Sequence, residues 1–140
     1  MLGLVGIGAT LGPAKRGLTQ AAEIVQPAQP GPPAFAARAT ALRDAAVAAG
    51  DQPYGAVIVK DNRIVGEAPS RAVTNRDPTA HAEMEAIRDA ARRLGTRDLS
   101  GAEMYGSARA CPMCAAAAAW AGIGRLHFGP EPTDGGVPRL

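Results

Sequence analysis

From residue 35 onward the apolar positions fall into blocks of changing period, and each change marks an element. Phe35, Ala39, Leu42, Ala46 and Ala49 recur at helical spacing. They predict a helix with one apolar face, and Gly50 supplies its stop. Ala56-Val57-Ile58-Val59 is a short, continuous apolar run of the kind found in buried strands. Asp61-Asn62 predicts a turn into a second strand, Arg63 to Glu67, so the two form a hairpin. A loop rich in turn formers fills Pro69 to Ala80. Helical spacing returns from His81 to Leu94, with Met84, Ile87, Ala91 and Leu94 as the expected core stripe and Gly95 as the stop. Glu103 to Ser107 reads as a third strand and Arg125 to Phe128 as a fourth. Between them a third helix, rich in alanine, opens at Cys111 or Pro112, where proline suits the first turn. Helix, hairpin, helix, strand, helix, strand predicts an α/β fold with a mixed sheet.

The flanks carry no such pattern. Residues 1–34 read as a disordered leader and linker, ending in the proline-rich stretch Gln26-Pro27-Ala28-Gln29-Pro30-Gly31-Pro32-Pro33. Met1 to Leu11 resembles the apolar centre of an export signal, and Gly12-Pro13-Ala14 offers a small-residue cleavage site. The basic segment that should precede such a centre is missing, so a cytoplasmic and an exported chain both stay open. Residues 131–140, rich in Pro and Gly, read as a flexible tail, which leaves 35–130 as the domain.

Composition narrows the picture. A chain of 140 residues holds one domain at most, and 20% charged with 46% hydrophobic residues is ordinary for a globular protein. Aromatics make up only 4%, so the core must be built mainly from Ala, Val, Ile and Leu. A net charge of +2 does not indicate a nucleic-acid partner. Arg88, Arg92, Arg93 and Arg97 read as a solvated helix face rather than a basic stripe. No apolar run reaches the length of a membrane span.

The chemistry lies in two short strings, His81-Ala82-Glu83 and Cys111-Pro112-Met113-Cys114. Hydrolytic zinc sites take three nitrogen and sulfur ligands and keep a fourth position for water. His81, Cys111 and Cys114 would supply the three, and Glu83 is placed to move protons rather than to bind metal. A structural four-ligand site would need another Cys or a well-placed His. His127 falls in a predicted strand as a packed or surface residue. Taken alone, Cys-x-x-Cys also permits a dithiol redox protein.

His-x-Glu followed by Pro-Cys-x-x-Cys is the signature of zinc deaminases, with Ala110 here in place of that first proline. The segments Pro53 to Val59, Asp77 to Arg88, and Cys111-Pro112-Met113-Cys114 with Trp120-Ala121-Gly122-Ile123 together resemble the cytidine and deoxycytidylate deaminase superfamily. They are most similar to its bacterial branch of guanine deaminases and tRNA adenosine deaminases. The resemblance runs from about Phe35 to Gly129. It implies a three-layer α/β sandwich with a mixed sheet, here shortened at the C-terminus because relatives continue with another helix and strand. It also implies a Zn2+ cofactor, Glu83 as catalytic proton shuttle, and hydrolytic deamination of a small nucleobase, nucleoside or related amino-heterocycle. Self-association as a homodimer through the third helix and Trp120 is expected on the same ground, with Trp120 a core or interface anchor.

The substrate contacts that the resemblance implies are Ser70, Tyr54, Ala82 and Asn75. Ser70 stands where the family has a base-reading asparagine, and one hydroxyl replaces a paired donor and acceptor. Arg109-Ala110 replaces the usual Glu-Pro, putting a cation beside the zinc loop. These departures, with the short C-terminus, favour a small free substrate over tRNA. They also keep open a zinc-binding member of the fold with lost or altered activity.

Overall fold

In the computed structural model, which describes residues 21–140, the chain runs α1 (Pro32–Ala48), β1 (Gly55–Lys60), β2 (Arg63–Pro69), α2 (Ala82–Leu94), β3 (Glu103–Gly106), α3 (Pro112–Trp120), β4 (Arg125–Phe128) and β5 (Thr133–Gly136). The strands form one sheet in the order β2-β1-β3-β4-β5. β1 is antiparallel to both β2 and β3, β3 and β4 are parallel across the α3 crossover, and β4 and β5 are antiparallel. The sheet is therefore mixed, as its pattern predicts. The apolar stretch Met1 to Leu11 lies outside the described residues. No described helix is long and apolar enough to cross a membrane.

Side chains alternate across the sheet and build two cores. Ala56, Ile58, Met104 and Leu126 face α2 and α3. Val57, Val59, Ile64 and Tyr105 face the opposite way, toward Phe35 and Leu42 of α1. The fold is thus three layers, α1, sheet, and α2 with α3. Asp61 (φ 50°) and Asn62 (φ 59°) both take the left-handed conformation that a two-residue hairpin of right-twisted strands requires.

Two glycines set how close the helices come. A Cβ on Gly55 would lie 2.2 Å from the Ala39 carbonyl oxygen of α1. One on Gly66 would lie 2.6 Å from both the backbone nitrogen and the Cβ of Ala90 on α2. This closeness corrects the expected stripe of α2. Its buried positions are Ala82, Glu83, Ala86, Asp89 and Ala90, while Met84, Ile87 and Ala91 are half-buried and Leu94 is exposed. Between α2 and β2 there is room for alanine and for Asp89, which accepts the Glu67 N–H of β2 at 3.1 Å, so the larger apolar residues are displaced to the flanks. Arg88 pairs with Glu85 and Arg93 with Asp89, as a salt-bridged solvated face should.

Three further expectations give way. Residues 24–34 are not a free linker. Ile24 is buried in the α1 core, and the Gln26 side-chain amide donates to the Ile64 carbonyl and accepts from its N–H, both at 2.8 Å. One apolar side chain and one amide pin an irregular, proline-rich segment along the open edge of β2. The 131–140 tail contains β5, whose sequence Thr-Asp-Gly-Gly has no apolar alternation but whose pairing with β4 is reinforced by Arg125–Asp134. Of the two roles expected of Trp120, core or interface anchor, the core one falls, since it is 77% exposed at the end of α3.

Candidate active site

α2 and α3 start beside each other, and each begins on a metal-ligand candidate. His81 is the N-cap of α2 and Cys111 the N-cap of α3, both with extended backbone, and neither side chain caps its own helix. Their carbonyls open the two helices instead, accepting from Glu85 and Ala115 at 2.9 Å. The imidazole and the thiol are thereby left for other work. Cys114 follows one turn into α3, fully buried. The two helix N-termini direct unpaired N–H groups and positive dipole ends at this point, which favours thiolates.

His81 Nδ1 lies 3.7 Å from each sulfur, and the sulfurs lie 3.5 Å apart. A tetrahedral zinc with ordinary Zn–N and Zn–S bonds separates its ligand atoms by about 3.6 to 3.8 Å. The donor set and its spacing therefore fit zinc. A redox dithiol has no need of an imidazole nitrogen equidistant from both sulfurs. Burial pushes the Cys114 thiol well above its ordinary range, with Glu83 beside it adding to the effect. A divalent cation reverses that balance.

Glu83, on the first turn of α2, is 8% exposed. Burial raises its carboxyl above the usual carboxylate range, against the smaller opposing effects of its own backbone amide, His81 and Cys114. It lines a cavity of ≈ 310 Å³ together with Met104, Ala110, Ala115, Leu126, Phe128 and the segment Gly135 to Arg139. A raised carboxyl group on a mostly apolar cavity is the environment expected of a proton-transfer residue.

The expected substrate contacts are placed differently. Ser70 is buried, and its hydroxyl donates to Asp51 Oδ1 at 2.8 Å. Tyr54 is 41% exposed and Asn75 is exposed; neither they nor Ser70 lines the cavity beside Glu83. Ala82 is buried in the α2 core, next to Glu83. Asp51 draws the loop together. Its carboxylate also accepts the N–H groups of Gln52, Val73 and Thr74 at 2.8 to 3.1 Å. Burial opposes the charge on Asp51, but these donors with Ser70 outweigh it and hold the carboxyl well below the ordinary range. The loop then reaches the site through Arg71 N–H, which donates to the Ala80 carbonyl just before His81.

Sequence reasoning missed Asp51 and the cavity wall from 135 to 139. A lone acid after a helix-stopping glycine has no motif, and Gly-Gly-Val-Pro-Arg carries no apolar period. His127 is packed, stacking on Tyr105 at 4.4 Å and meeting Glu103 Oε2 at 2.7 Å.

The model of the cytidine and deoxycytidylate deaminase zinc-binding region matches residues 33–130. Guanine deaminase of Bacillus subtilis is 44% identical over 101 residues, 71% of this chain and 65% of that protein. A tRNA-specific adenosine deaminase of Agrobacterium fabrum is 42% identical over 85 residues, 61% of this chain and 56% of its own length. An X-ray structure of guanine deaminase from Bacillus subtilis superposes with a TM-score of 0.66 at 43% identity, covering 68% of this chain and 61% of that one. The chain thus spans less than two thirds of the length of these relatives. It holds, in the same three-layer mixed fold, the His, Cys, Cys group and the adjoining glutamate. On the sequence match and the structural match together, this chain belongs to the cytidine and deoxycytidylate deaminase zinc-binding family.

Proposed function

We propose that this chain is a zinc-dependent hydrolytic deaminase of a small nucleobase, nucleoside or related amino-heterocycle. The observation that carries the reading is the placing of Glu83. Glu83 lines the cavity and sits two residues from His81, which faces both cysteine sulfurs. His81, Cys111 and Cys114 would hold the ion. Bound zinc supplies a Lewis acid that turns water into a nucleophile near neutral pH.

The remaining work falls to the protein. Glu83 accepts a proton from the attacking water, delivers it to the ring nitrogen, and serves again as the amine leaves as ammonia. The balance is one water consumed, one C–N bond broken and one carbonyl formed. Met104, Ala110, Ala115 and Leu126 give the cavity an apolar wall that suits a flat ring and excludes bulk water. A free small molecule suits this cavity, and the arginines of α2 that could have met RNA are engaged by Glu85 and Asp89. Exposed Trp120 on α3 supports the homodimer reading.

Ammonia release from the zinc-loaded chain, screened over cytosine, cytidine, deoxycytidine, guanine, adenosine and aminotriazines, tests the proposal. Turnover of at least one compound, absent in Glu83→Ala that still carries about one zinc per chain, supports it. A zinc-loaded chain inactive on every amino-heterocycle would favour the reading of a family member with lost or altered activity.

A further inference from the structure

The cavity beside Glu83 has apolar walls and a charged rim. Arg109, from the loop before α3, and Arg139, near the C-terminus, both contribute to its lining, and both are exposed. Arg109 is held in place. Its guanidinium carbon sits 4.4 Å from the centroid of the Phe128 ring. A cation–π seat of this kind orients a guanidinium without neutralising it. Among the described residues Arg38, Arg43, Arg88, Arg92, Arg93 and Arg125 are ion-paired, whereas no acidic group lies within pairing distance of Arg109 or Arg139. The other unpaired arginines, Arg63, Arg71, Arg76 and Arg97, do not line this cavity. Glu83 is the sole carboxylate in the lining.

We propose that Arg109 on its Phe128 seat, with Arg139, makes this site select an amino-heterocycle bearing an anionic oxygen group, a phosphate monoester or a carboxylate. The inference rests on the deaminase reading of the same cavity. The apolar wall takes the ring and offers few handles for telling one ring from another. The rim supplies a pre-oriented guanidinium fork, which matches two oxygens of a phosphate or carboxylate. The anionic group binds away from the C–N bond that breaks, so it acts on kcat/KM through binding and leaves the chemical step to Glu83.

The experiment compares substrates that differ only in that group, on the zinc-loaded full chain. The pairs are cytidine with cytidine monophosphate, guanosine with guanosine monophosphate, adenosine with adenosine monophosphate, and cytosine with 5-carboxycytosine. In at least one pair kcat/KM should favour the anionic member by about tenfold or more, the scale of one charge-assisted hydrogen bond. The advantage should vanish in Arg109→Ala, persist in part in Arg109→Lys, and shrink as salt screens the exposed rim. Success in the nucleotide pairs assigns phosphate, and success in the carboxylate pair alone assigns carboxylate. Equal turnover of both members, unaffected by Arg109→Ala, overturns the inference and leaves the deaminase reading standing. If nothing is turned over, calorimetry of the same compounds decides. Arg109-dependent binding of the anionic members upholds the anion site although the deaminase reading fails, and equal or absent binding overturns it.

Discussion

Asp51 and Glu83 are two carboxylates buried to the same degree, each 8% exposed, yet their surroundings drive them in opposite directions. Asp51 meets a donor from Ser70 and three backbone N–H groups, and its charge is held far into the acid range. Around Glu83 burial prevails, and its carboxyl is raised. The same contrast extends to their neighbours. The polar groups around Asp51 answer one another and tie a loop to the end of α1. Beside Glu83 three candidate metal-ligand atoms converge at the starts of two helices. A closed polar cluster stabilises; a carboxyl raised by burial beside a cavity is placed for proton transfer.

The largest effect expected on this contrast is at Glu83. Glu83→Gln should keep zinc and melt within a few degrees of the parent, while turnover falls at least a thousandfold because the proton relay is lost. A mutant within about tenfold of the parent on a good substrate would remove Glu83 from the chemistry. Metal loss comes next. Cys111→Ala should fail to retain stoichiometric zinc by elemental analysis, and a chelator should lower the Tm of the parent. Binding at a thousand times Kd stabilises by about 4 kcal/mol, which the stripped chain forgoes. Zinc affinity should also fall with falling pH, because burial favours the protonated Cys114 thiol and protons then compete with the ion.

Asp51→Ala should reverse the pattern. It leaves the zinc ligands untouched but costs about 2 to 4 kcal/mol of stability at neutral pH, as a buried, charged acceptor of several donors is removed. The sign of its pH dependence follows from the depressed folded value. Its stabilisation is complete above the unfolded value of about 4 and drains as pH falls toward the folded one. Denaturation of parent and mutant should therefore converge in acid. A gap that widened in acid would contradict the hydrogen-bonded carboxylate.

The smallest effect sharpens the boundary between the two clusters. Ser70→Ala should cost about 1 kcal/mol and leave KM unchanged, since the hydroxyl is given to Asp51. A KM raised tenfold at unchanged stability would return Ser70 to the substrate.

Much of this was legible in the chain. Blocks of period 3.6 and continuous apolar runs located α1, α2, α3 and β1 to β4, because each of those elements buries one consistent face or both. The His, Glu, Cys and Cys positions were legible because zinc chemistry accepts few residue types at few spacings. Where apolar size was taken as the sign of burial, the reading failed. Gly66 and Ala90 press α2 so close to β2 that alanine and Asp89 are inside while Leu94 is out. β5 and the Ile24–Gln26 strap escaped for a related reason. An edge strand or a strap has one partner, so it needs only a pair of backbone or amide hydrogen bonds and leaves no period behind.

The residues alone marked the candidate ligands, the candidate proton carrier and the order of elements as far as β4, since each depends on local spacing and on which atoms a side chain owns. Tertiary structure alone decided which of two buried acids is spent and which is free. It also turned Ser70 inward and brought the tail and Arg109 to one cavity. Those outcomes depend on which distant donors reach a given oxygen. Contacts such as Asp51 with Thr74, Gln26 with Ile64, and Arg109 on Phe128 exist only once the sheet and its helices have closed.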